Sequence, residues 1–267
     1  MPTFPTPDPI AASVQLVAGA VRIAAAERDD TEVQVSPRDP MRAADVRAAE
    51  QAHVDFSHGA LTVLVGRKLL SLGRGGAVNV DIALPAGSRL SVAVASADLH
   101  VAGTVADCRF DAASGNAAFD SVEGNIKAAT ASGDISAHRL VGNANVSTAS
   151  GDLTIDALDG NLKFQAASGS ATVGTLRGGV NSRTASGSLT VTGAESGSVS
   201  VATASGQVEV GIAQGTAANL DLDSRSGDVR SDLAPTAGPE HDDRRLTVHA
   251  RTASGDIAIR RATAVPA

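Results

Sequence analysis

Aromatic residues and cysteine are nearly missing from this 267-residue sequence, which has five Phe, one Cys, no Tyr and no Trp. Sugars and unpaired nucleic-acid bases are commonly held by stacking on aromatic rings, so the composition argues against a site for either. A single cysteine excludes a disulfide framework and any metal site of the Cys-x-x-Cys type. No apolar run reaches the roughly 18 to 20 residues that a membrane-spanning helix needs.

Positive charge is also scarce, because the sequence has 22 Lys and Arg residues against 29 Asp and Glu residues, which gives a net charge of −7. Nucleic-acid binding needs clustered cations, and we therefore expect no nucleic-acid partner. The first nine residues contain neither the basic nor the apolar segment of a secretory signal. On this basis the sequence predicts a cytoplasmic protein.

An 18-residue repeat fills the centre of the sequence. Five Ser-Gly dipeptides lie at intervals of 18, and the series extends through three more at intervals of 19, 21 and 28. In four places another glycine follows nine residues after the first one. Since glycine punctuates strands, we interpret both sets as structural turns. The first set is Gly115, Gly133, Gly151, Gly169, Gly187, Gly206, Gly227 and Gly255, and the second is Gly124, Gly142, Gly160 and Gly178.

Between the glycines, apolar residues alternate with polar ones, as in Leu153 and Ile155 and again in Leu162 and Phe164. Like residues recur at steps of 18, which is what coils stacked on one another would produce. The sequence therefore predicts an all-β protein, a parallel β-helix-like β-solenoid with about 18 residues and two short strands per coil. Intervening polar residues predict an exposed face on this solenoid, and its candidate members are Ser136, Thr154, Thr172 and Thr190.

The regular repeat does not cover the whole chain. We assign residues 1–89 to an irregular β-rich capping region, with a short helix near residues 43–52. Residues 90–261 form the predicted solenoid, interrupted by an exposed loop near residues 233–245, where proline, glycine and charged residues cluster.

Other repeat folds fit the sequence less well. A left-handed hexapeptide helix lacks its apolar triplet, because Asp159 and Gln165 occupy the positions six and twelve residues after Leu153. A calcium-binding roll needs Gly-Gly-x-Gly-x-Asp in each half repeat, and this motif is not present. An array of antiparallel hairpins remains an alternative, since it also gives a turn every nine residues.

The residues capable of chemistry do not form a recognisable catalytic or metal site. The six histidines lack the spacing of metal-site motifs, and Cys108 falls in an inward-facing column. Because Ser-Gly-Asp recurs, it indicates a repeated structural role and not one nucleophile. Asp134 and Asp152 form the acid pair that a carbohydrate-active enzyme would require. We predict no catalytic residue, cofactor or metal.

Several segments resemble the bacterial putative-adhesin family of β-strand-repeat domains. The resemblance rests on Phe4, Pro9 and Ile10, on residues 17–25, 30–37 and 82–88, and on the Ser-Gly-Asp turns. It covers nearly the whole chain and implies a binding surface outside the cell, without catalytic residues. We therefore predict a non-enzymatic repeat scaffold that presents a Ser-, Thr- and Asn-rich face to a macromolecular partner. The alternatives are a self-assembling structural protein and a carbohydrate-active enzyme.

Overall fold

The structure is a computed structural model that describes residues 2–66, 76–233 and 244–262. Most of the loop predicted near residues 233–245 lies outside the described residues. The chain divides into two compact units, Met1–Ile135 (unit 1) and Ser136–Ala267 (unit 2). The boundary between residues 89 and 90 stays a prediction.

Unit 1 consists of strands and one short helix. Its elements are β1 (Thr3–Pro5), β2 (Ala11–Ala26), β3 (Asp30–Pro37), α1 (Ala43–Glu50), β4 (His53–Ser57), β5 (Ala60–Leu64), β6 (Val78–Pro85), β7 (Arg89–Val105), β8 (Cys108–Ser114), β9 (Ala117–Glu123) and β10 (Ile126–Ser132). Strand β11 (Ile135–Ser150) begins at the last residue of this unit.

The coils of unit 1 stack through parallel pairing. Strand β8 pairs in parallel with β7 on one side and β10 on the other, so that Leu90, Cys108 and Ile126 are register partners. Strand β2 also joins the stack, because it pairs in parallel with β7 on one side and with β5 and β6 on the other. Parallel stacking therefore reaches into the region before residue 90, where β1, β3 and β4 add antiparallel pairings.

Two buried polar side chains fasten the N-terminal strands of unit 1. The Ser88 hydroxyl donates to the Pro85 carbonyl at 2.7 Å and accepts from the Ile10 amide at 3.0 Å. The Asp45 carboxylate, on α1, accepts from the backbone amides of Asp39 and Ala77 at 3.2 and 3.0 Å. Buried polar groups need such partners, and these bonds fix the turn before β7 and the position of α1.

Unit 2 contains the remaining strands. After β11 come β12 (Leu153–Ser168), β13 (Ala171–Ser186), β14 (Leu189–Ser205), β15 (Val208–Ile212), β16 (Thr216–Ser226), β17 (Val229–Ser231), β18 (Arg244–Ser254) and β19 (Ile257–Arg261). The two strands predicted for each coil are continuous in β12, β13 and β14, which have 16, 16 and 17 residues. The predicted β-solenoid fold is confirmed.

The core of unit 2 is built from columns of aliphatic residues. Leu153, Ala171 and Leu189 are register partners on β12, β13 and β14, and all three are buried. Within β12 the buried residues Ile155 and Leu158 are three positions apart, and this break in the period of two is repeated in β13 and β14. A strand that keeps its interior side across such a break must bend there, which closes the coil around its core.

The last coil is not the outermost coil of unit 2. Strand β18 pairs with β14 through Leu246 and Gly197, and on its other side with β16 through Leu246 and Ala218. Strand β19 lies in the same way between β15 and β17. We expected each coil to lie over its predecessor, but the chain places β16 and β17 outermost and then inserts its final coil beneath them.

Candidate functional site

The Ser-Gly corner is a place where neighbouring coils approach each other closely. A Cβ atom added at Gly169 would lie 2.2 Å from the Gly151 carbonyl oxygen, and one at Gly187 would lie 2.0 Å from that of Gly169. No side chain fits at these distances, so glycine is required by backbone proximity. The same crowding against a neighbouring carbonyl oxygen is found at Gly115, Gly133, Gly206, Gly227 and Gly255.

The second set of glycines is placed differently. Gly142, Gly160 and Gly178 lie inside β11, β12 and β13, and all three have positive φ angles, of 136°, 145° and 129°. Cβ atoms added at Gly160 and Gly178 would lie 1.9 and 2.1 Å from the carbonyl oxygen of the glycine one coil earlier. Gly124 separates β9 from β10.

At several Ser-Gly corners the next residue links its coil to a neighbouring one. The Asp152 carboxylate accepts from the Ser170 amide at 2.7 Å, and the Ser170 hydroxyl accepts from the Ser188 amide at 3.2 Å. In unit 1 the Asn116 side chain accepts from the Asp134 amide at 2.9 Å. A short side chain with an acceptor oxygen is needed here, which accounts for Asp, Asn and Ser at this position. Asp152, one of the two candidate acids, thus has a structural role.

Threonines just before the Ser-Gly corner face inward. The Thr184 hydroxyl donates to the Gly187 carbonyl at 3.1 Å and lies 3.0 Å from the Thr203 hydroxyl. The Thr130 hydroxyl donates to the Ser132 carbonyl at 3.1 Å. The buried Thr148 hydroxyl has no hydrogen-bond partner among the described residues. The main role of these hydroxyls is therefore to donate hydrogen bonds to backbone carbonyls at the corner.

The candidate polar face is a row of hydroxyl groups on unit 2. Ser136 and Thr154 are exposed, whereas Thr172 and Thr190 are half-buried. Thr154, Thr172 and Thr190 are register partners on β12, β13 and β14. Since strands in a sheet are about 4.8 Å apart, the row repeats a hydroxyl at that spacing. We call Ser136, Thr154, Thr172 and Thr190 the hydroxyl row.

Unit 1 carries a groove that the sequence did not predict. It encloses about 420 Å³ across β5, β2, β7, β8 and β10. Small residues form part of its lining, namely Ala11, Ser13, Ala60, Thr62 and Ser91, and longer polar residues form another part, namely Arg89, Asp107, Arg109, Asn125 and Lys127. These residues come from distant parts of the chain. The one available signal was the run of small residues at outward positions of β2 and β5.

Cys108 lies beneath this groove and is buried. Burial disfavours the charged thiolate and raises the pKa of the Cys108 thiol to about 12. A nucleophilic cysteine needs the opposite, a lowered pKa in an accessible and electropositive setting. Cys108 therefore acts as a small core residue.

Acidic partners are present for two of the histidines. The Nδ1 atom of His138 lies 3.0 Å from Asp156, and that of His249 lies 3.1 Å from Asp221. Within residues 2–66, 76–233 and 244–262, no group of three or more His, Cys, Asp or Glu side chains could hold a metal ion. Over the same ranges, no helix has the length and apolar character needed to cross a membrane.

The chain is similar to several bacterial proteins of known structure. A putative adhesin from Bacteroides fragilis is 11% identical, with 97% of this chain and 95% of that chain covered and a TM-score of 0.38. A putative lipid binding protein from Parabacteroides distasonis is 12% identical, with the same coverage and a TM-score of 0.42. A putative cell adhesion protein from Clostridium sporogenes is 8% identical, with 97% and 98% covered and a TM-score of 0.25.

No curated protein matches the chain. The family model described as Toastrack DUF4097 matches residues 13–263. This match confirms the family resemblance that the sequence indicated. Because the match spans nearly the whole sequence, the chain belongs to the Toastrack DUF4097 family.

Proposed function

We propose that this protein is a non-enzymatic binding scaffold that presents the hydroxyl row of unit 2 to a macromolecular partner. The observation that carries the proposal is the register of Thr154, Thr172 and Thr190 on three neighbouring strands. A rigid stack of coils holds these groups at a fixed spacing, so little conformational entropy is lost when a partner binds them.

The structural use of the Ser-Gly-Asp motif supports a scaffold over an enzyme. Glycine is required by the close approach of coils, and Asp152 accepts a backbone hydrogen bond from the next coil. The repeated residues that could be mistaken for a nucleophile or an acid are therefore accounted for by the fold.

The proposal is tested by placing bulky charge on the hydroxyl row. Thr154→Arg with Thr172→Arg covers the centre of the row, whereas Asn145→Arg with Asn181→Arg adds the same charge at exposed positions of another column in unit 2. We expect the wild type and the Asn double variant to sediment with purified bacterial cell envelopes, and the Thr double variant to remain in solution. No retention of the wild type, or equal retention of all three, would contradict the proposal.

A self-assembling role is the second candidate, and it rests on the outermost coil of unit 2. Leu220 and Leu222 of β16 are only half-buried and Val229 of β17 is 45% exposed, whereas Val248 and Ile257 in the neighbouring coil are buried. Exposed apolar residues at the end of a stack favour association with another chain. Light scattering distinguishes the two candidates, since self-assembly predicts a mass that rises with concentration and falls in Val229→Asp, whereas a strictly monomeric wild type removes this candidate.

The cytoplasmic location is part of the proposal as well. Protease treatment of intact cells that produce the full chain tests it, with the protein expected to stay undigested until the cells are lysed. Digestion in intact cells would place the binding face at the cell surface.

A further inference from the structure

We propose that the groove of unit 1 binds a small anionic amphiphile, with a phosphate or carboxylate head and a short aliphatic body. The groove encloses about 420 Å³, and small-molecule sites commonly occupy roughly 300 to 1,000 Å³. Every residue that lines it belongs to unit 1, whereas the hydroxyl row belongs to unit 2.

The shape of the groove follows from side-chain size along one row of register partners. Thr62, Ser13 and Ser91 are neighbours on β5, β2 and β7, and the row continues with Arg109 on β8 and Lys127 on β10. Three short side chains are thus followed by two long cationic ones. The short side chains leave the space, and the long side chains bound one side of it.

The groove is positively charged in a negatively charged protein. Its lining has three cations, Arg89, Arg109 and Lys127, and one carboxylate, Asp107, so its net charge is 3 − 1 = +2. Even with Asp111, which pairs with Arg109 at 2.6 Å outside the lining, the balance stays positive at +1. The whole chain has a net charge of −7. A local charge opposite to that of the protein attracts anions.

Two of the three cations form no hydrogen-bonded ion pair within the part of the chain that the structure describes. The Nε atom of Arg89 lies 3.9 Å from the Asp107 carboxylate, beyond hydrogen-bond distance. That carboxylate already accepts from the backbone and side-chain nitrogens of Asn125 at 2.9 and 3.0 Å. Lys127 makes no ion pair within the described part of the chain. Arg89 and Lys127 can therefore both donate to an anionic head group.

The pairing of Arg109 with Lys127 also supports an anion site. The two residues are register partners on adjacent strands. Like charges directly opposite each other destabilise a sheet, so this pairing has a cost that packing does not explain. An anion bound beside both side chains would convert the repulsion into two favourable pairs, and local conflicts of this kind are typical of functional sites.

The rest of the lining selects an aliphatic body over a bare anion. Ala11 and Ala60 are exposed and contribute methyl groups to the groove, and the buried side chains of Leu61, Leu90 and Cys108 form the apolar layer beneath it. Covering such a surface with a short alkyl chain gains about 0.8 kcal/mol for each CH₂ group that is buried. An inorganic anion gains nothing from this part of the groove.

Calorimetric titration of the full chain with octyl phosphate and with octanoate, both below their aggregation concentrations, tests the proposal. We expect each probe to bind with 1:1 stoichiometry, and inorganic phosphate and the neutral octyl glucoside to bind at least about tenfold more weakly. No binding of octyl phosphate or octanoate at millimolar concentration would overturn the proposal, as would octyl phosphate affinity equal to that of inorganic phosphate.

Three variants locate the site. Lys127→Gln is expected to lower octyl phosphate affinity about tenfold, as the loss of one charge-assisted hydrogen bond does. Ala11→Met fills the groove and should have an effect of similar size. Lys163→Gln is the matched control, because Lys163 is exposed and occupies the equivalent position two coils later, outside the groove. With unfolding midpoints unchanged, equal affinities of all variants and wild type would overturn the proposal, as would equal losses in Lys127→Gln and Lys163→Gln.

The same head group occurs in free metabolites and in membrane lipids. Sedimentation with vesicles of phosphatidylglycerol separates the two sources. We expect binding to octyl phosphate without sedimentation, which identifies a free amphiphile. Sedimentation that is lost in Lys127→Gln but kept in Lys163→Gln would support the same anionic chemistry with a lipid as its source.

Discussion

Gly169 shows how a single residue sets the distance between neighbouring coils. A Cβ atom there would lie 2.2 Å from the Gly151 carbonyl oxygen, whereas one at Gly193 would meet nothing closer than 3.8 Å. Neither glycine has a positive φ angle in the range that side chains avoid. The two positions therefore separate the effect of close approach from that of backbone conformation.

We expect Gly169→Ala to lower the free energy of unfolding by about 2 kcal/mol or more, because the added methyl group forces two coils apart. Gly193→Ala should change it by less than about 0.5 kcal/mol. Urea denaturation followed by circular dichroism measures both values. Equal effects at the two positions would mean that coil spacing does not select glycine.

Cys108 gives a second prediction at the residue scale. With a pKa raised to about 12 by burial, about one thiol in ten thousand is ionised at pH 8. The native protein should therefore react with a disulfide reagent such as DTNB far more slowly than the urea-unfolded protein. Rapid modification under native conditions would contradict the burial of this side chain.

Strands β13, β14 and β18 meet at an acidic residue, Glu195, whose carboxylate binds two arginines. Arg177 donates to it at 2.9 Å and Arg244 at 2.7 Å. The hydrogen bond from Arg177 is the main cause of the lowered pKa of Glu195, with partial burial opposing it and the charges of Arg177 and Arg244 adding to it. The pairing of β13 with β14 shifts register between Leu176 and Arg177, and the cluster fastens this irregular position.

We predict that Glu195→Gln lowers the free energy of unfolding at pH 7 by roughly 1 kcal/mol, since the arginines are largely exposed. A carboxylate with a lowered pKa in the folded state stabilises the protein above its unfolded pKa, and this contribution disappears as the pH falls through the folded pKa. The difference between wild type and variant should therefore be constant near neutral pH and vanish in acid. A difference that is unchanged in acid would exclude the ion pairs as its cause.

The regular strands could be predicted from the sequence because their pattern is local. Residues such as Leu153 and Leu189 recur at a fixed step and alternate with polar neighbours, so the spacing alone gives strand, interior face and stacking. The pairing of β2 with β7 could not be predicted in this way, since β2 lacks the Ser-Gly corner. The bend after Ile155 was also missed, because a three-residue step interrupts the period of two that strand prediction uses.

The order of the coils is a property of the whole molecule. Strand β18 follows β16 in the chain but lies between β14 and β16 in the sheet. Its buried residues, such as Val248 and Ala250, alternate with outward-facing ones. This pattern would fit a strand between β14 and β16 or one beyond β16. The groove of unit 1 was missed for a related reason, because Ser13, Thr62 and Ser91 come together only through strand order. The hydroxyl row follows the 18-residue step and could therefore be proposed from the sequence.

Disulfide cross-linking tests the coil order most directly. Ser200 and His249 are register partners on β14 and β18, and Asp221 on β16 is the partner of His249 on the far side. Neighbouring strands are about 4.8 Å apart, which suits a disulfide, whereas positions two strands apart exceed the roughly 7 Å limit. In a Cys108→Ala background, the inserted coil predicts that Ser200→Cys with His249→Cys forms a bond on mild oxidation and that Ser200→Cys with Asp221→Cys does not. The reverse result, read by mass spectrometry, would show coils stacked in chain order and contradict the account.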